Sequence, residues 1–156
     1  MSREINAEVT NMIMIQDPES KRVVVLNRTL SWCGISFPGG HVEKNESFYD
    51  SAVREAYEET GLFVRDLQFC GTINWECIED GSRYIVMLYK TDKYDGELKK
   101  ETEEGENFFI DIEELQKIKT DNRIEDYLPL FINDDIHEAY EKYSKATGES
   151  FCIKYF

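Results

Sequence analysis

The segment from Phe37 to Leu62 constrains the fold of this chain more than any other part of the sequence. It reads FPGGHVEKNESFYDSAVREAYEETGL, so two successive glycines precede a helical pattern. Apolar residues recur there at the i, i+3, i+4 and i+7 spacing of an amphipathic helix, at Tyr49, Ala52, Val53 and Ala56. This pattern predicts a helix from about Ser47 to Thr60, with Asn45 or Ser47 as its N-cap and Gly61 as its left-handed end.

The C-terminal half of this predicted helix carries an unusual concentration of negative charge. Glu55, Glu58 and Glu59 fall on one face within about one turn, where the helix macrodipole disfavours anions. Arg54 can offset one of these carboxylates through its i, i+4 relation to Glu58. The charges fit either a solvated acidic face or a site of oxygen ligands for a divalent cation such as Mg²⁺ or Mn²⁺.

The spacing of the whole segment favours the second interpretation. Gly40, five residues, Glu46, seven residues and then REAYEETGL from Arg54 to Leu62 resemble the Nudix box, GX5EX7REUXEEXGU, in which U is a bulky aliphatic residue. All seven fixed letters match, a coincidence on the order of 10⁻⁸ to 10⁻⁹ per start position at average residue usage. Ala56, at the first U position, is smaller than usual. The resemblance implies an α+β fold, the Nudix-type α/β/α sandwich with a mixed β-sheet and the Nudix loop-helix.

The resemblance also implies roles for the residues of the box. Nudix hydrolases cleave a nucleoside diphosphate linked to another moiety by attack of water on phosphorus, assisted by Mg²⁺ or Mn²⁺. The expected metal ligands are the carbonyl of Gly39 and the carboxylates of Glu55, Glu58 and Glu59, and Glu55 is the first candidate for general base.

Four further positions of the box complete the set, and three of them, Gly40, Glu46 and Gly61, are expected to have structural roles. Arg54 joins the catalytic set because it resembles the arginine that forms a salt bridge with Glu46 and so orients the helix and its carboxylates. Gly40 and Gly61 are expected to shape the loop and the end of the helix.

Candidate site residues also lie outside the box. Many family members add a carboxylate from a loop before a late strand, and Glu106 fits that catalytic and metal-binding role best here, with Glu103 second and a solvated acidic loop as the alternative. The substrate-binding candidates are a phosphate-contacting arginine, a loop histidine, and an amide and an indole that could hydrogen-bond and stack a purine: Arg28, His41, Asn74 and Trp75. A surface arginine is the alternative for Arg28, an incidental loop histidine for His41, and core or rim packing for Trp75.

The rest of the chain predicts strands separated by short helices. Runs of β-branched and aromatic residues predict strands over Val9–Ile15, Arg22–Arg28, Leu67–Asn74, Ser82–Lys90 and Asn107–Ile112. The turn residues Glu79–Ser82 predict a hairpin. A helical turn is expected over Glu113–Ile118, and helical patches broken at Pro129 over Ile124–Lys145. Ser150–Phe156 is expected to be a final strand, with a helix extension or a packed coil as alternatives.

Composition limits the partners of the chain. Its 156 residues predict a single domain, 1–156, and a net charge of −14 argues against a nucleic-acid partner. No apolar window is long enough for a membrane span, and Met1 to Thr10 does not resemble a secretory signal. The four cysteines lack the spacing of a zinc site or a disulfide scaffold, which favours free thiols and a cytoplasmic location. The aromatic residues of the C-terminal third are assigned to the core or to a contact in a homodimer.

We therefore expect a Mg²⁺- or Mn²⁺-dependent pyrophosphohydrolase that acts on a small-molecule nucleotide. FPGGHVE in a short chain resembles the MutT-like group, which suggests an oxidised purine nucleoside triphosphate, such as 8-oxo-dGTP, as the substrate. The alternatives are a non-catalytic Nudix-fold sensor of a nucleotide metabolite, a Nudix hydrolase of nucleotide sugars or dinucleoside polyphosphates, and an acidic interaction protein with solvated carboxylates.

Overall fold

A computed structural model describes residues 3–156. Met1 and Ser2, which belong to the expected domain and to the segment Met1 to Thr10, lie outside the described residues. The strands are β1 (Ala7–Ile15), β2 (Val23–Arg28), β3 (Gly34–Ser36), β4 (Phe63–Val64), β5 (Gln68–Cys77), β6 (Arg83–Thr91), β7 (Tyr94–Asp95), β8 (Glu101–Thr102), β9 (Gly105–Ile110), β10 (Glu138–Tyr143) and β11 (Lys154–Tyr155). The helices are α1 (Phe48–Thr60), α2 (Ile112–Leu115), α3 (Ile124–Tyr127) and α4 (Pro129–Ile132).

Two sheets and one small strand pair organise these elements. The larger sheet is mixed, with the order β1-β6-β5-β10-β11. In it β1 runs parallel to β6 and β10 runs parallel to β5, whereas β5 and β6 form the predicted antiparallel hairpin. The second sheet, β3-β2-β9-β8, is antiparallel throughout, and β4 pairs with β7. The predicted α+β class with a mixed sheet is confirmed.

The strand β2 links two apolar layers. Its four apolar residues, Val23 to Leu26, are fully buried, as a continuous β-branched run predicts for a strand that is covered on both faces. Val24 packs in a cluster with Ala52 and Ala56 of α1, whereas Val23 and Val25 pack in a larger cluster with α3 and α4. Helices therefore cover both sides of the strands, which is the expected α/β/α sandwich.

The helix α1 forms where the sequence predicts it, because its signals are local. Ser47 is the N-cap, and its hydroxyl accepts a hydrogen bond from the backbone N–H of Asp50 at 3.0 Å. Gly61 ends the helix at φ 77°, and its N–H donates to the carbonyl of Tyr57. Ala52 and Ala56 are buried on the apolar face, whereas Tyr49 at the edge of that face is 40% exposed.

The C-terminal third differs from the expectation. Within Ile124–Lys145, helix occurs only in α3 and α4, on either side of the predicted break at Pro129, and the rest of this range contains the strand β10. Its sequence EAYEKY has no strong strand preference, and pairing with β5 decides its conformation. The predicted final strand is reduced to β11 and a single bridge at Ser150. The strand predicted at Asn107–Ile112 is β9, which ends at Ile110 because Ile112 begins α2.

Side-chain burial in this third is mixed as well. Tyr127 and Phe131 belong to the core, whereas Phe151 and Phe156 are exposed, and a homodimer contact stays a prediction. The four cysteines are free thiols, Cys70 and Cys77 buried and Cys33 and Cys152 exposed. Within residues 3–156, no helix has both the length and the apolar character that crossing a membrane requires.

Candidate active site

The glycine loop lies between β1 and α1. The carbonyls of Pro38 and Gly40 accept hydrogen bonds from the N–H groups of Ile13 and Asn11, both at 2.8 Å. A Cβ atom at Gly39 would lie 2.1 Å from the carbonyl oxygen of Asn11, and one at Gly40 would lie 2.5 Å from the carboxylate carbon of Glu55. The two glycines therefore allow the loop to approach the β1 backbone on one side and the α1 carboxylate on the other.

Arg54 lies at the centre of the charged cluster on α1. Its guanidinium donates to both carboxylate oxygens of Glu46, at 2.7 and 3.1 Å, and to Glu55 at 2.7 Å and Glu58 at 3.1 Å. It also donates to the carbonyl of His41 at 2.9 Å. The hydrogen bond from Arg54 is the main reason that the pKa of Glu46 falls to about 2. Arg54 thus joins the loop to the helix and restrains two of the expected metal ligands.

Glu59 is held by a different set of groups. Its carboxylate accepts hydrogen bonds from the backbone N–H of Gly39 at 2.9 Å and from the Arg28 guanidinium at 3.1 Å. Burial nevertheless raises the pKa of Glu59 to about 7, because loss of water outweighs both favourable contacts. Burial also raises the pKa of Glu55, against the opposing effect of Arg54. Two carboxylates of the cluster are therefore poorly solvated and lack full charge compensation.

The loop carboxylate that reaches this cluster is Glu104 and not Glu106. Arg28 bridges Glu59 and Glu104, and its Nη2 lies 2.7 Å from the Glu104 carboxylate. In β9, Asn107 faces α1 and donates to the carbonyl of Glu59 at 2.7 Å. Because successive strand residues point to opposite faces, the exposed Glu106 projects away from α1. The structure thus brings Glu104, two residues before Glu106, to this cluster, whereas the second choice, Glu103, is exposed.

The donor set fits a hard divalent cation. Carboxylate and carbonyl oxygens are the ligands that Mg²⁺ and Mn²⁺ prefer, and the Glu55 carboxylate occupies space that a Cβ at Gly40 would fill. Within residues 3–156, no three Asp, Glu, His or Cys side chains already surround a single point as a metal site. Arg54 binds one carboxylate oxygen each of Glu55 and Glu58, and Arg28 binds one of Glu59, so these side chains would have to converge further to coordinate one ion.

A cavity of about 290 Å³ adjoins the charged cluster. Predicted site residues at the cluster line it, namely Arg28, Gly39, Gly40 and His41. Five aromatic side chains contribute to its walls, those of Trp32, Phe37, Trp75, Tyr84 and Tyr127. Concave sites with aromatic walls and a few polar groups are typical of small-molecule binding. The cavity therefore suits a ligand that has a flat ring beside a charged portion.

Trp75 lies in this cavity, but its indole N–H is already used. The N–H contacts the Tyr127 hydroxyl at 3.1 Å and a carboxylate oxygen of the fully buried Glu141 at 3.0 Å. Trp75 can thus offer a ligand its ring face, whereas the hydrogen bond expected from the indole is directed into the protein.

Asn74 and His41 contribute less to the wall of the cavity than Trp75 does. The Asn74 amide donates to Glu138 at 3.0 Å and accepts from Arg83 at 3.3 Å, and the residue is not among those that line the cavity. This corrects the expectation that Asn74 and Trp75 face the same cleft, because adjacent strand residues point to opposite faces. His41 lines the cavity but is largely exposed, and its ring pairs with Glu8.

Several side chains at the site were not expected from the sequence. Trp32 could have been identified from the sequence as a candidate binding residue, since an aromatic residue in a short polar loop four residues after Arg28 is unusual. Glu104 lies in the acidic loop from which a site carboxylate was expected, although Glu106 and Glu103 were preferred. The sequence around Ser36, Asn122 and Glu141 carried no comparable signal, because long-range packing brings them to the site.

Known proteins resemble this chain in both sequence and structure. The family model for the NUDIX domain matches residues 7–131. "Uncharacterized Nudix hydrolase YvcI" from Bacillus subtilis is 31% identical over 70% of this chain and 69% of its own length. An "ADP-ribose pyrophosphatase" from Methanocaldococcus jannaschii is 32% identical over 60% of this chain and 56% of its own length. An "Oxidized purine nucleoside triphosphate hydrolase" from Danio rerio is 34% identical over 49% of each chain.

The fold agrees with these matches. The crystal structure of a MutT protein from Bacillus halodurans superposes with a TM-score of 0.79 at 20% identity, over 95% of this chain and 97% of that one. The family match covers the glycine loop, α1 and the strands that hold them. The chain belongs to the Nudix hydrolase family.

Proposed function

We propose that this Nudix hydrolase cleaves the diphosphate linkage of a nucleotide in a reaction that depends on Mg²⁺ or Mn²⁺. One observation carries the proposal: the carboxylates of Glu55 and Glu59 meet the glycine loop beside a cavity with aromatic walls, and Glu58 shares Arg54 with Glu55. A nucleotide has a flat base and a charged diphosphate, and this arrangement offers a surface for each. The fit of both parts distinguishes the proposal from a merely solvated acidic face.

The ligands for the metal come from the loop and the helix. We assign them to the Gly39 carbonyl and the carboxylates of Glu55, Glu58 and Glu59, with Glu104 in the role first expected for Glu106. The carbonyls on either side of Gly39 are engaged by β1, and Glu104 lies 2.7 Å from the arginine that also holds Glu59. When bound, the cation would neutralise diphosphate charge and lower the pKa of the attacking water.

The chain's own side chains then position the reactants and move the proton. Glu55 is proposed to accept the proton from the attacking water, since burial raises the pKa of its carboxylate and makes it a stronger base than an exposed glutamate. Arg28 lines the cavity and contacts Glu59 and Glu104, so it is placed to turn toward a phosphate when the carboxylates are engaged. Arg54 keeps its role as the residue that orients α1 through Glu46.

The finer proposal concerns the substrate. We propose an oxidised purine nucleoside triphosphate such as 8-oxo-dGTP, converted to the monophosphate and pyrophosphate. The support is the 34% identity to the Danio rerio protein, together with the ring faces of Trp32 and Trp75 at the cavity.

The test replaces one carboxylate without changing its shape. Glu58→Gln should lower the rate of phosphate or pyrophosphate release with Mg²⁺ or Mn²⁺ at least about a hundredfold, because a neutral amide is a poorer ligand for a hard cation. Glu113→Gln, at an exposed glutamate of α2, is the matched control and should keep the parental rate. Near-parental turnover by Glu58→Gln would contradict the assignment.

A second substrate class has its own support. The Methanocaldococcus jannaschii relative is named an ADP-ribose pyrophosphatase, which favours nucleotide sugars as the alternative. A panel of nucleotides, oxidised nucleotides, nucleotide sugars and dinucleoside polyphosphates, with identification of the products, separates the two. Binding of a panel member without turnover would instead favour the sensor.

A further inference from the structure

The side chain of Asn11 lies where β1, the glycine loop and α1 meet. Asn11 belongs to β1 and is only 3% exposed. Its amide nitrogen donates to the hydroxyl of Ser51 on α1 at 2.7 Å, and its amide oxygen accepts from the backbone N–H of Gly40 at 3.4 Å. Because a backbone N–H can only donate, the contact with Gly40 fixes which end of the amide is the oxygen. One buried side chain thus contacts both elements that carry the proposed metal ligands.

Ser51 extends this contact along the loop. It is fully buried, and its hydroxyl donates to the carbonyl of His41 at 3.2 Å while it accepts from Asn11. The Arg54 guanidinium donates to the same carbonyl at 2.9 Å. Asn11 also lines the cavity, but both ends of its amide are engaged within the protein. Its contacts therefore point to a role in holding the loop on the helix.

The peptide between Gly39 and Gly40 is the part of the loop that Asn11 orients. A trans peptide is planar and directs its C=O and its N–H to opposite sides. The N–H of Gly40 and the carbonyl of Gly39 share this plane, so the Asn11 oxygen that holds the N–H also sets the direction of the carbonyl. Within residues 3–156, the Gly39 carbonyl accepts no hydrogen bond, whereas β1 holds the carbonyls of Pro38 and Gly40.

The same peptide is flanked by two of the proposed metal ligands. Glu59 accepts from the N–H of Gly39 at 2.9 Å, and the Glu55 carboxylate occupies the space that a Cβ at Gly40 would fill. Glycine permits more backbone conformations than any other residue, so a peptide between two glycines turns easily unless a neighbour holds it. The contact from Asn11 supplies such a hold from the β1 side.

We infer that Asn11 is a positioning residue for the metal site: its side-chain oxygen holds the Gly39–Gly40 peptide so that the Gly39 carbonyl stays available to a divalent cation. The inference rests on the proposed function, in which this carbonyl is a ligand, and adds the residue that orients it. Removal of a group that hydrogen-bonds to a metal ligand typically weakens metal binding about 10- to 100-fold. Asn11 acts through the peptide that carries the ligand.

Asn11→Leu tests the inference, because leucine has nearly the same branched shape as asparagine without its polar groups. Binding of Mn²⁺ to the nucleotide-free protein can be followed through the electron paramagnetic resonance signal of free Mn²⁺. The affinity should fall at least about tenfold, because the Gly39 carbonyl is no longer held in one direction. Parental Mn²⁺ affinity in folded Asn11→Leu would overturn the inference.

Ile15→Val is the matched control on the same strand. Ile15 is fully buried in a cluster with Ala52 and Ala56 of α1, so loss of one methyl group lowers stability and leaves the contact from Asn11 to the loop in place. This variant should keep the parental Mn²⁺ affinity, and urea unfolding shows how far each variant is destabilised. A loss of Mn²⁺ affinity that follows stability alone in the two variants would contradict a positioning role.

Amide hydrogen exchange in EDTA reports on the peptide itself. In Asn11→Leu the exchange rate of the Gly40 amide should rise about fivefold or more, which corresponds to the loss of one hydrogen bond. The Gly39 amide is the internal control, because its acceptor is Glu59, and its rate should stay close to that of the parent. Equal acceleration of both amides would show general loosening of the loop and would contradict a specific hold on Gly40.

Ser51→Ala decides the question if Asn11→Leu does not fold. It removes the hydroxyl that accepts from the Asn11 amide, so the amide is held only through Gly40. Mn²⁺ binding should weaken about threefold or more, and exchange of the Gly40 amide should accelerate. Parental values for both measurements would overturn the inference.

The outcome for Asn11 is distinguishable from the outcome for the activity. Weaker Mn²⁺ binding in Asn11→Leu, in a chain that hydrolyses none of the nucleotide panel, would support the inference and contradict the proposed function. Turnover that Glu58→Gln abolishes, together with parental Mn²⁺ affinity in Asn11→Leu, would do the reverse.

Discussion

At the scale of single residues, burial of Glu59 opposes its own ionisation. Arg28 at 3.1 Å and the Gly39 N–H at 2.9 Å favour the charged carboxylate, but loss of water raises its pKa from the ordinary 4.5 to about 7. A proposed metal ligand is therefore largely protonated below neutral pH in the metal-free protein. Protons and cations should compete for this side chain.

This competition predicts how stability depends on pH. A carboxyl whose pKa is higher in the folded than in the unfolded chain stabilises the fold fully below pH 4.5, and this contribution is lost as the pH rises through about 7. The Glu59 contribution to the unfolding free energy should thus fall by about 3 kcal/mol between pH ~5 and pH ~8 in EDTA. Urea unfolding at both pH values measures the change, and Mn²⁺ should offset it mainly at pH ~8.

Glu59→Gln is the control for this prediction. It removes the titrating group and should flatten the pH dependence over the same interval. The same slope in the parent and in Glu59→Gln would show that another group is responsible.

At the scale of elements, the fit between the glycine loop and α1 predicts two different mutant phenotypes. In Gly40→Ala the new Cβ meets the Glu55 carboxylate, which can rotate away, so the unfolding free energy should fall by only about 1 kcal/mol. Phosphate release should nevertheless fall at least about tenfold, because Glu55 is displaced. In Gly39→Ala the Cβ meets the β1 backbone at Asn11, which cannot rotate away, so the loss of stability should be about 3 kcal/mol or more.

Urea unfolding and phosphate release measured on the same preparations separate these phenotypes. A Gly40→Ala protein with full activity would show that the position of Glu55 is not critical. A Gly39→Ala protein as stable as the parent would contradict the close approach of the loop to β1.

The elements that could be predicted from the sequence are those specified by nearby residues. The helix α1 has its cap, its apolar face and its terminating glycine within one segment, and the Nudix box fixes its spacing there. The strand β10 could not be predicted in the same way, because its conformation depends on pairing Ala139 with Ile73, far away in the sequence. Only the folded chain brings Glu104 to Arg28.

Two expectations failed although a local rule was available. Strand alternation separates Asn74 from the neighbouring Trp75, and it also turns Glu106 away from the α1 side, where Asn107 points. Naming a strand is thus insufficient to place its side chains at a site, since the face must also be assigned. That assignment depended on which residues face α1 in β9 and on which residues line the cavity in β5.

At the scale of the whole molecule, the buried carboxylate of Glu141 connects the larger sheet to the short helices beneath the cavity. From β10 it accepts hydrogen bonds from Trp75 on β5 and from Tyr127 on α3, and it forms a 2.6 Å ion pair with Arg123. A buried charge is tolerated when it is paired and hydrogen-bonded, and removal of one partner leaves the other uncompensated. This group therefore stabilises the cavity wall as well as the packing of sheet and helices.

Glu141→Gln tests that connection. It keeps the shape of the side chain but leaves Arg123 with Asp126 as its acidic partner, so the unfolding free energy should fall by about 2 to 4 kcal/mol. Tyr127→Phe removes one hydroxyl and should cost about 1 kcal/mol.

The matched control is Glu138→Gln on the same strand, which keeps an acceptor oxygen for Asn74 and should cost less than about 1 kcal/mol. The double variant Glu141→Gln/Tyr127→Phe should lose less than the sum of the single losses, because both side chains belong to one network. Additive losses in urea unfolding would show that Glu141 and Tyr127 stabilise the sheet and the helices independently.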